Sequence, residues 1–310
     1  MLVLRHLEHI ERRFATPVLT LGNFDGVHCG HQAILARTVA AARAQDGEAI
    51  AITFWPHPAQ VLAPARGAAV IMGLRQRLEL MAACGVDVII AQRFSLRFAR
   101  ITAEDFVRRL IVERLGVRRL VVGHSVSFGH NRGGNAAVLG RLGAELGVEV
   151  EVVEPVRVGD HVASSSAVRR ALRAGEIEHA RLLLGRPHTI AGRVIHGHHR
   201  GRTMGFPTAN LRVKAAMLPP DGVYAVRLRY RDQWRAAIAN IGFNPTFGDR
   251  ERSIETHVFD FAADLYRQRV EVAFLKRIRG EVKFADAEAL VTQIHQDVAA
   301  ARAVLAQELV

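Results

Sequence analysis

The sequence predicts an α/β chain in two parts: a doubly wound parallel sheet over residues 1–185, then a small antiparallel β-barrel with a C-terminal helix over 186–310. Three observations carry that prediction. Strand-like and helix-like segments alternate through the first 185 residues. The alternation stops at Gly185-Arg186-Pro187. Beyond that point the chain reads as successive strands without helices between them, until one long amphipathic run closes it.

In the first part the strands are expected at Pro17–Leu21, Ala49–Phe54, Val86–Ala91, Arg118–Val122 and Val148–Val153. Helices are expected between them, at 31–44, 74–84, 103–115 and 136–146. Gly85, Gly116 and Gly147 stand where C′ glycines end a helix. Thr102 and Asp105 form a T-x-x-D start signal for the third helix. Five strands with helical crossovers imply a parallel sheet whose ligands bind at the carboxyl ends of the strands. In the second part strands are expected at 188–195, 223–230, 234–241, 253–261 and 269–276. Ser253-Ile254-Glu255-Thr256-His257-Val258 shows the period-two alternation of a strand. A helix over roughly 286–308, opened by Asp286, is expected to pack across the barrel.

Charge and composition exclude several functions. The net charge is +12, yet only Lys214, Lys276 and Lys283 are lysine, and the arginines are scattered with no basic block. A solvated arginine-rich surface with some arginines reaching small phosphorylated molecules is the expectation, without a nucleic-acid partner. No stretch approaches the ~18 apolar residues of a membrane span, and the N-terminus has no apolar signal core. A cytoplasmic, membrane-free protein is therefore expected, and the oligomeric state stays open. Cys29 and Cys84 are too few for a disulfide framework. Residues 1–213 contain no lysine, so nucleotide chemistry there has no phosphate-loop lysine and no lysyl-adenylate. It must rely on histidine, arginine, backbone N–H groups, helix N-termini and metal.

The first sheet strand runs into Gly22-Asn23-Phe24-Asp25-Gly26-Val27-His28-Cys29-Gly30-His31, where a helix begins. A helix N-terminus offers unpaired N–H donors and partial positive charge, and glycines let a triphosphate approach the backbone. His28 and His31 can then contact an α-phosphate and stabilise the charge that grows as pyrophosphate leaves. Gly22, Asn23, Phe24, Asp25 and Gly26 would form the rest of that ATP cradle. Loops after later strands, Thr53-Phe54-Trp55-Pro56-His57-Pro58 and Gly123-His124-Ser125-Val126, fall on the same sheet edge. Further on, Ser164, Ser165, Ser166 and Arg169 open another helix and could grip the β and γ phosphates. Three serines before a helix also read as a plain N-cap.

The second part carries Gly192-Arg193-Val194-Ile195-His196-Gly197, then Gly201-Arg202-Thr203-Met204-Gly205-Phe206-Pro207-Thr208-Ala209-Asn210. A loop containing Gly201 and Gly205 lets backbone donors follow ATP phosphates. Thr208 and Asn210 offer oxygen ligands to Mg²⁺, a cation that takes few protein ligands alongside substrate oxygens. His196, His198 and His199 lack carboxylate or cysteine partners, which argues against a structural zinc site.

GNFDGVHCGHQ with TFWPHP resembles the FAD synthetase half of bacterial bifunctional riboflavin kinase/FAD synthetases, an HxGH nucleotidylyltransferase domain of Rossmann-like form, over residues 17–185. The segments GRTMGFPTAN, NIGFNPTF and IETH resemble the flavokinase half. The resemblance implies ATP-dependent phosphorylation of riboflavin to FMN, then adenylyl transfer from ATP to FMN. It implies ATP-phosphate binding by His28, His31, Ser164, Ser165 and Arg169. It makes Glu255 the base that takes the ribityl 5′-hydroxyl proton. It places flavin against His57 and Ser125 in one half and against Asn244, Thr246 and Arg279 in the other. The chain departs from the family at Ser125 and Val126, where an acidic or amide residue and phenylalanine are usual, and at Asn135, where an acid is usual. Alternatives stay open: a riboflavin kinase with a weak adenylyltransferase domain, which Ser125 favours, a different adenylyl or cytidylyl acceptor, or a basic nucleic-acid-binding or regulatory flavin-binding protein without catalysis.

Overall fold

The computed structural model describes residues 1–66, 69–195, 206–213, 216–243 and 252–307. The chain forms two compact units, Met1–Ser165 and Ser166–Val310.

In the first unit the sheet strands are β1 (Leu2–Arg5), β2 (Val18–Leu21), β3 (Ala49–Trp55), β4 (Val88–Arg93), β5 (Arg119–Gly123) and β6 (Glu149–Val153). They pair in the order β1-β4-β3-β2-β5-β6, every pair parallel. Five of these match the expected strands. The sixth, β1, has no counterpart in the sequence pattern: as an edge strand it is mostly exposed, so it carries no continuous apolar run. The central strands do carry one, because both their faces are covered. Ile50, Ile52 and Ile90 pack with Phe106, Ile111 and Leu139 on one side. Ala51 and Ile89 meet Leu35, Met72 and Met81 on the other.

The helices of this unit are α1 (Cys29–Arg43), α2 (Pro58–Leu62), α3 (Leu74–Ala83), the short α4 (Ala103–Asp105), which runs on as a π-helix over Phe106–Arg114, and α5 (Ala136–Leu146). The expected helix at 103–115 is thus mostly π-helical. Its start signal is real: Thr102 Oγ1 accepts the Asp105 N–H at 3.0 Å. The glycines at 85, 116 and 147 all have positive φ, as helix-ending glycines do.

The strand order reverses at β2, whose neighbours are β3 and β5. The β2–β5 pairing covers only Val18–Leu19 against Arg119–Leu120, so the two strands part toward their carboxyl ends. That is the switch point at which a parallel sheet opens a crevice for ligand. A hairpin of β7 (Arg157–Val158) and β8 (His161–Val162) then leads to α6 (Ser165–Ala174) and α7 (Ile177–Leu184).

The second unit holds a closed antiparallel barrel among the described residues: β9 (His188–Ile195), β10 (Ala209–Arg212), β11 (Gly222–Tyr230), β12 (Gln233–Phe243), β13 (Arg252–Val258) and β14 (Arg269–Arg279). The order is β10-β13-β12-β11-β14-β9, with β9 returning to β10. Sequence patterning supplies five of these strands. β10 is only four residues long and starts within the Thr208-Ala209-Asn210 motif, too short for alternation to register. β11 is buried on both faces. Tyr224, Val226 and Leu228 are fully buried, and the alternate residues Val223 and Ala225 pack with Ala301 and Leu305 of α8 (Ala287–Gln307). Asp286 opens α8 as expected, its Oδ1 accepting the Ala289 N–H at 2.8 Å.

Candidate active sites

The loop from β2 to α1 is held in a shape that ordinary residues avoid. Phe24, Gly26 and Val27 all have positive φ, and Gly26 reaches 91°. His28 caps α1, its Nδ1 accepting the His31 N–H at 3.3 Å. The His28 and His31 rings stack with centroids 3.6 Å apart at 24°. Phe24 meets His31 edge-on at 5.2 Å. Gly30 is needed for close packing: a Cβ there would sit 3.1 Å from the Ala163 carbonyl and from the His28 ring. The two histidines that the sequence singles out therefore stand together at the N-terminus of a fifteen-residue helix, beside the switch point.

Two residues expected to contact ATP also make hydrogen bonds that build the cradle. Asp25 is buried, and its carboxylate accepts the Ile71 N–H at 3.0 Å and the Met72 N–H at 3.4 Å. The Asn23 carbonyl accepts from Thr53 Oγ1 at 3.0 Å and from Arg77 at 2.6 Å. Gly22 packs on the Phe24 ring, where an added Cβ would approach to 3.3 Å. Ser165 donates its hydroxyl to the Asp25 carbonyl at 2.7 Å, tying the start of α6 to the same loop. Ser164 is half-buried, Ser166 is exposed, and Arg169 lies half-buried on α6.

Arg77 belongs to no motif. It is 2% exposed, and it also donates to the Phe54 carbonyl at 3.2 Å and to Thr53 Oγ1 at 3.3 Å, so one guanidinium joins the loop after β2 to the end of β3. Burial pushes its guanidinium below the ordinary arginine value, and the Asp25 charge opposes that shift. A signal for it does exist in the sequence: Arg77 falls on the apolar stripe of Leu74, Leu78 and Met81, where a cation must have a partner.

His57 caps α2. Its Nδ1 accepts the Ala59 N–H at 3.2 Å, while its own backbone N–H donates to Gln60 Oε1 at 3.2 Å. Ser125 is exposed just beyond β5, and Val126 turns inward against the core. Asn135 caps α5, its Oδ1 accepting the Val138 N–H at 3.0 Å. An acid would make the same cap, which accounts for the exchange.

In the barrel, Thr208, Asn210, Thr256, Asp264 and Tyr266 line a cavity of about 450 Å³. Register places Glu255 of β13 directly opposite Asn210 of β10 and Asn240 of β12. Directly opposed residues share a face, so the expected base and an expected metal ligand lie in one row. His257 Nδ1 stands 2.9 Å from the Pro207 carbonyl. A carbonyl only accepts, so His257 donates, holding the chain just ahead of Thr208. Among the described residues no group of three His, Cys, Asp or Glu side chains could hold a metal. The hydroxyl of Thr208 and the amide oxygen of Asn210 are hard oxygen donors, suited to a cation that takes most of its ligands from phosphate and water.

Arg279, expected against flavin, forms a double hydrogen bond with buried Asp297 of α8, Nε to Oδ1 at 3.0 Å and Nη2 to Oδ2 at 2.8 Å. Its Nη1 donates to the Gly280 carbonyl at 2.9 Å. Its observed contacts therefore pin the helix to the barrel. Gly201, Gly205, Asn244, Thr246 and the histidines at 196, 198 and 199 lie outside the described residues.

The two units define a two-domain transferase class, one unit with histidines at a helix N-terminus beside a sheet switch point, the other with a cavity of mixed polar and apolar lining in a closed barrel. A FAD synthetase family model matches residues 11–167 and a riboflavin kinase model matches 184–305. The bifunctional riboflavin kinase/FMN adenylyltransferase of Escherichia coli K12 is 39% identical, over 92% of this chain and 91% of its own. That of Pseudomonas fluorescens is 40% identical, over 99% and 98%. A crystal structure from Streptococcus pneumoniae, described as a macrolide-efflux protein, aligns with TM-score 0.88 and 32% identity, over 97% of this chain and 99% of that one. No helix among the described residues here is long and apolar enough to cross a membrane. The chain belongs to the bifunctional riboflavin kinase/FMN adenylyltransferase family.

Proposed function

We propose that this chain makes both flavin cofactors, with residues 186–310 phosphorylating riboflavin to FMN and residues 1–185 adenylylating FMN to FAD. The observation that carries the reading is the pair of family matches, each covering one unit's chemistry. In the kinase, Glu255 takes the proton of the ribityl 5′-hydroxyl as that oxygen attacks the γ-phosphorus of ATP. Its row partner Asn210, with Thr208, would hold the divalent metal, which we take to be Mg²⁺ and which would neutralise phosphate charge. His257 keeps that pair in place through Pro207.

In the adenylyltransferase, the FMN phosphate attacks the α-phosphorus of ATP and pyrophosphate leaves. No protein base is required, because a phosphate monoester with a second pKa near ~6 is largely dianionic at neutral pH. His28, His31 and the first turn of α1 receive the charge of the α-phosphate, and Ser164 takes the departing phosphates. Asp25, Ser165 and Arg77 keep the cradle in shape. His57 and Ser125 flank the FMN.

Incubation of the full chain with Mg-ATP and either riboflavin or FMN, followed by flavin separation, tests the proposal. FMN and then FAD are expected from riboflavin, and FAD from FMN. FMN accumulating alone would favour a kinase with a weak second domain, the reading that Ser125 and Val126 raise.

A further inference from the structure

We propose that the outer face of the barrel carries a stripe of arginines, Arg212, Arg193, Arg269 and Arg229, ending at Trp234, that binds single-stranded nucleic acid. The proposal stands apart from the two flavin reactions and rests on strand register.

Barrel closure makes the stripe. In the sequence these arginines are far apart and form no basic block, which is why a surface without a nucleic-acid partner is expected there. Pairing of β9 with both β10 and β14 sets Arg193 directly opposite Arg212 on one side and Arg269 on the other. The residues beside them, Val194, Leu211 and Val270, are buried inside the barrel, and all three arginines are exposed on its outside. The next row on that face runs Trp234, Arg229, Glu271, Ala191. From Arg212 to Trp234 the stripe crosses four strand spacings, about 19 Å.

The charge of the first row is uncompensated. Like charges directly opposed across a sheet repel each other. Among the described residues, Arg193, Arg212 and Arg269 have neither an ion pair nor a side-chain hydrogen bond. Glu271, two positions along β14 on the same face, is already held by Arg229 at 2.8 Å. Three guanidiniums kept in line against their own repulsion call for an anion from outside the chain.

Phosphate suits that row. A guanidinium offers paired N–H donors that match phosphate oxygens, and it is more weakly hydrated than an ammonium. A strand with a phosphate at every nucleotide can meet the arginines one after another and release its counterions. A flexible single strand follows the curve of a small barrel, which a stiff duplex resists.

Trp234 decides between nucleic acid and an acidic protein. Its indole is 43% exposed, with the Arg229 guanidinium 5.5 Å from the ring centroid. Carboxylates gain nothing from an uncovered indole, whereas any base can stack on one. Cations for the backbone beside an aromatic ring for a base are what sequence-tolerant single-strand binding uses.

The test measures the fluorescence anisotropy of a short labelled oligouridylate on the full chain. FMN, Mg²⁺ and an unreactive ATP analogue are present to fill the nucleotide sites. Binding is expected to weaken steeply with salt. Arg193→Gln combined with Arg269→Gln should lower affinity about tenfold or more, and should reduce the slope of log affinity against log salt by about 0.7 per arginine. Trp234→Ala should lower affinity about fivefold or more. Every variant should form FMN and FAD at the wild-type rate. The thermal midpoint of the double arginine variant should be unchanged or higher, because repulsion is relieved and no partner is lost. No binding at low salt, or binding that the arginine variants leave intact, would overturn the proposal. Equal affinity for an oligoglutamate, or indifference to Trp234→Ala, would overturn the assignment to nucleic acid in favour of an acidic protein. A lower midpoint for the double variant would show that the row is not the repulsive one described, and the argument for an outside anion would go with it.

Discussion

At the scale of single residues, the chemistry divides by unit. Glu255→Ala removes the base and should lower FMN formation by about 10²-fold or more, the usual share of general-base catalysis. FAD formation from supplied FMN should be unchanged. His31→Ala should do the reverse, losing the Phe24 and His28 ring contacts and FAD formation together. Flavin product analysis on each variant reads both activities at once. A pH effect belongs to Asp87. The hydrogen bond from Arg43 holds its carboxyl below the ordinary range, with a backbone bond from Ala49 adding to it and desolvation opposing. A depressed folded value means that its contribution is complete above the unfolded value of about 3.9 and is lost as pH falls through the lower folded value. Asp87→Asn should therefore flatten the acid limb of a stability-against-pH curve measured by denaturant unfolding, leaving the neutral region nearly parallel to wild type.

At the scale of elements, caps and buried polar ties decide where the functional groups stand. Asn135→Ala removes the α5 cap and should cost about 1 kcal/mol, whereas Asn135→Asp should match wild type, since a carboxylate caps as well and favours the helix N-terminus. Urea titration of the three proteins measures this. Arg77 has a larger role because it joins the loop after β2 to β3 from inside the unit. Arg77→Met keeps most of the side-chain volume but removes the guanidinium donor from the Phe54 carbonyl and leaves the Asn23 carbonyl with Thr53 Oγ1, an expected loss of about 1–3 kcal/mol. FAD formation should fall with it, while phosphorylation of riboflavin continues. A variant with normal FAD formation would show that the loop holds its shape without the clamp.

At the scale of the whole molecule, each of two compact units carries its own family match, so metal removal and substrate supply act separately on two reactions. Chelation by EDTA should stop FMN formation, and Mg²⁺ added back should restore it. Mg-ATP with riboflavin should yield FMN ahead of FAD in a time course, since FMN is the product of one step and the substrate of the next.

The sequence by itself determined the two-part architecture, because burial on both faces imposes apolar runs on β3 and β4, and a barrel strand with one face inside and one face toward solvent alternates, as β13 does. It also determined the histidine loop, because a strand, a glycine-rich turn and a helix start lie adjacent in the chain. Edge strand β1 and four-residue β10 were illegible, one too exposed and the other too short to leave a periodic signal. Only tertiary structure decided what Asp25, Arg77 and Arg279 touch. Their partners are Ile71, Asn23 and Asp297, brought near by folding, and hydrogen-bond geometry across such separations has no local trace in the chain.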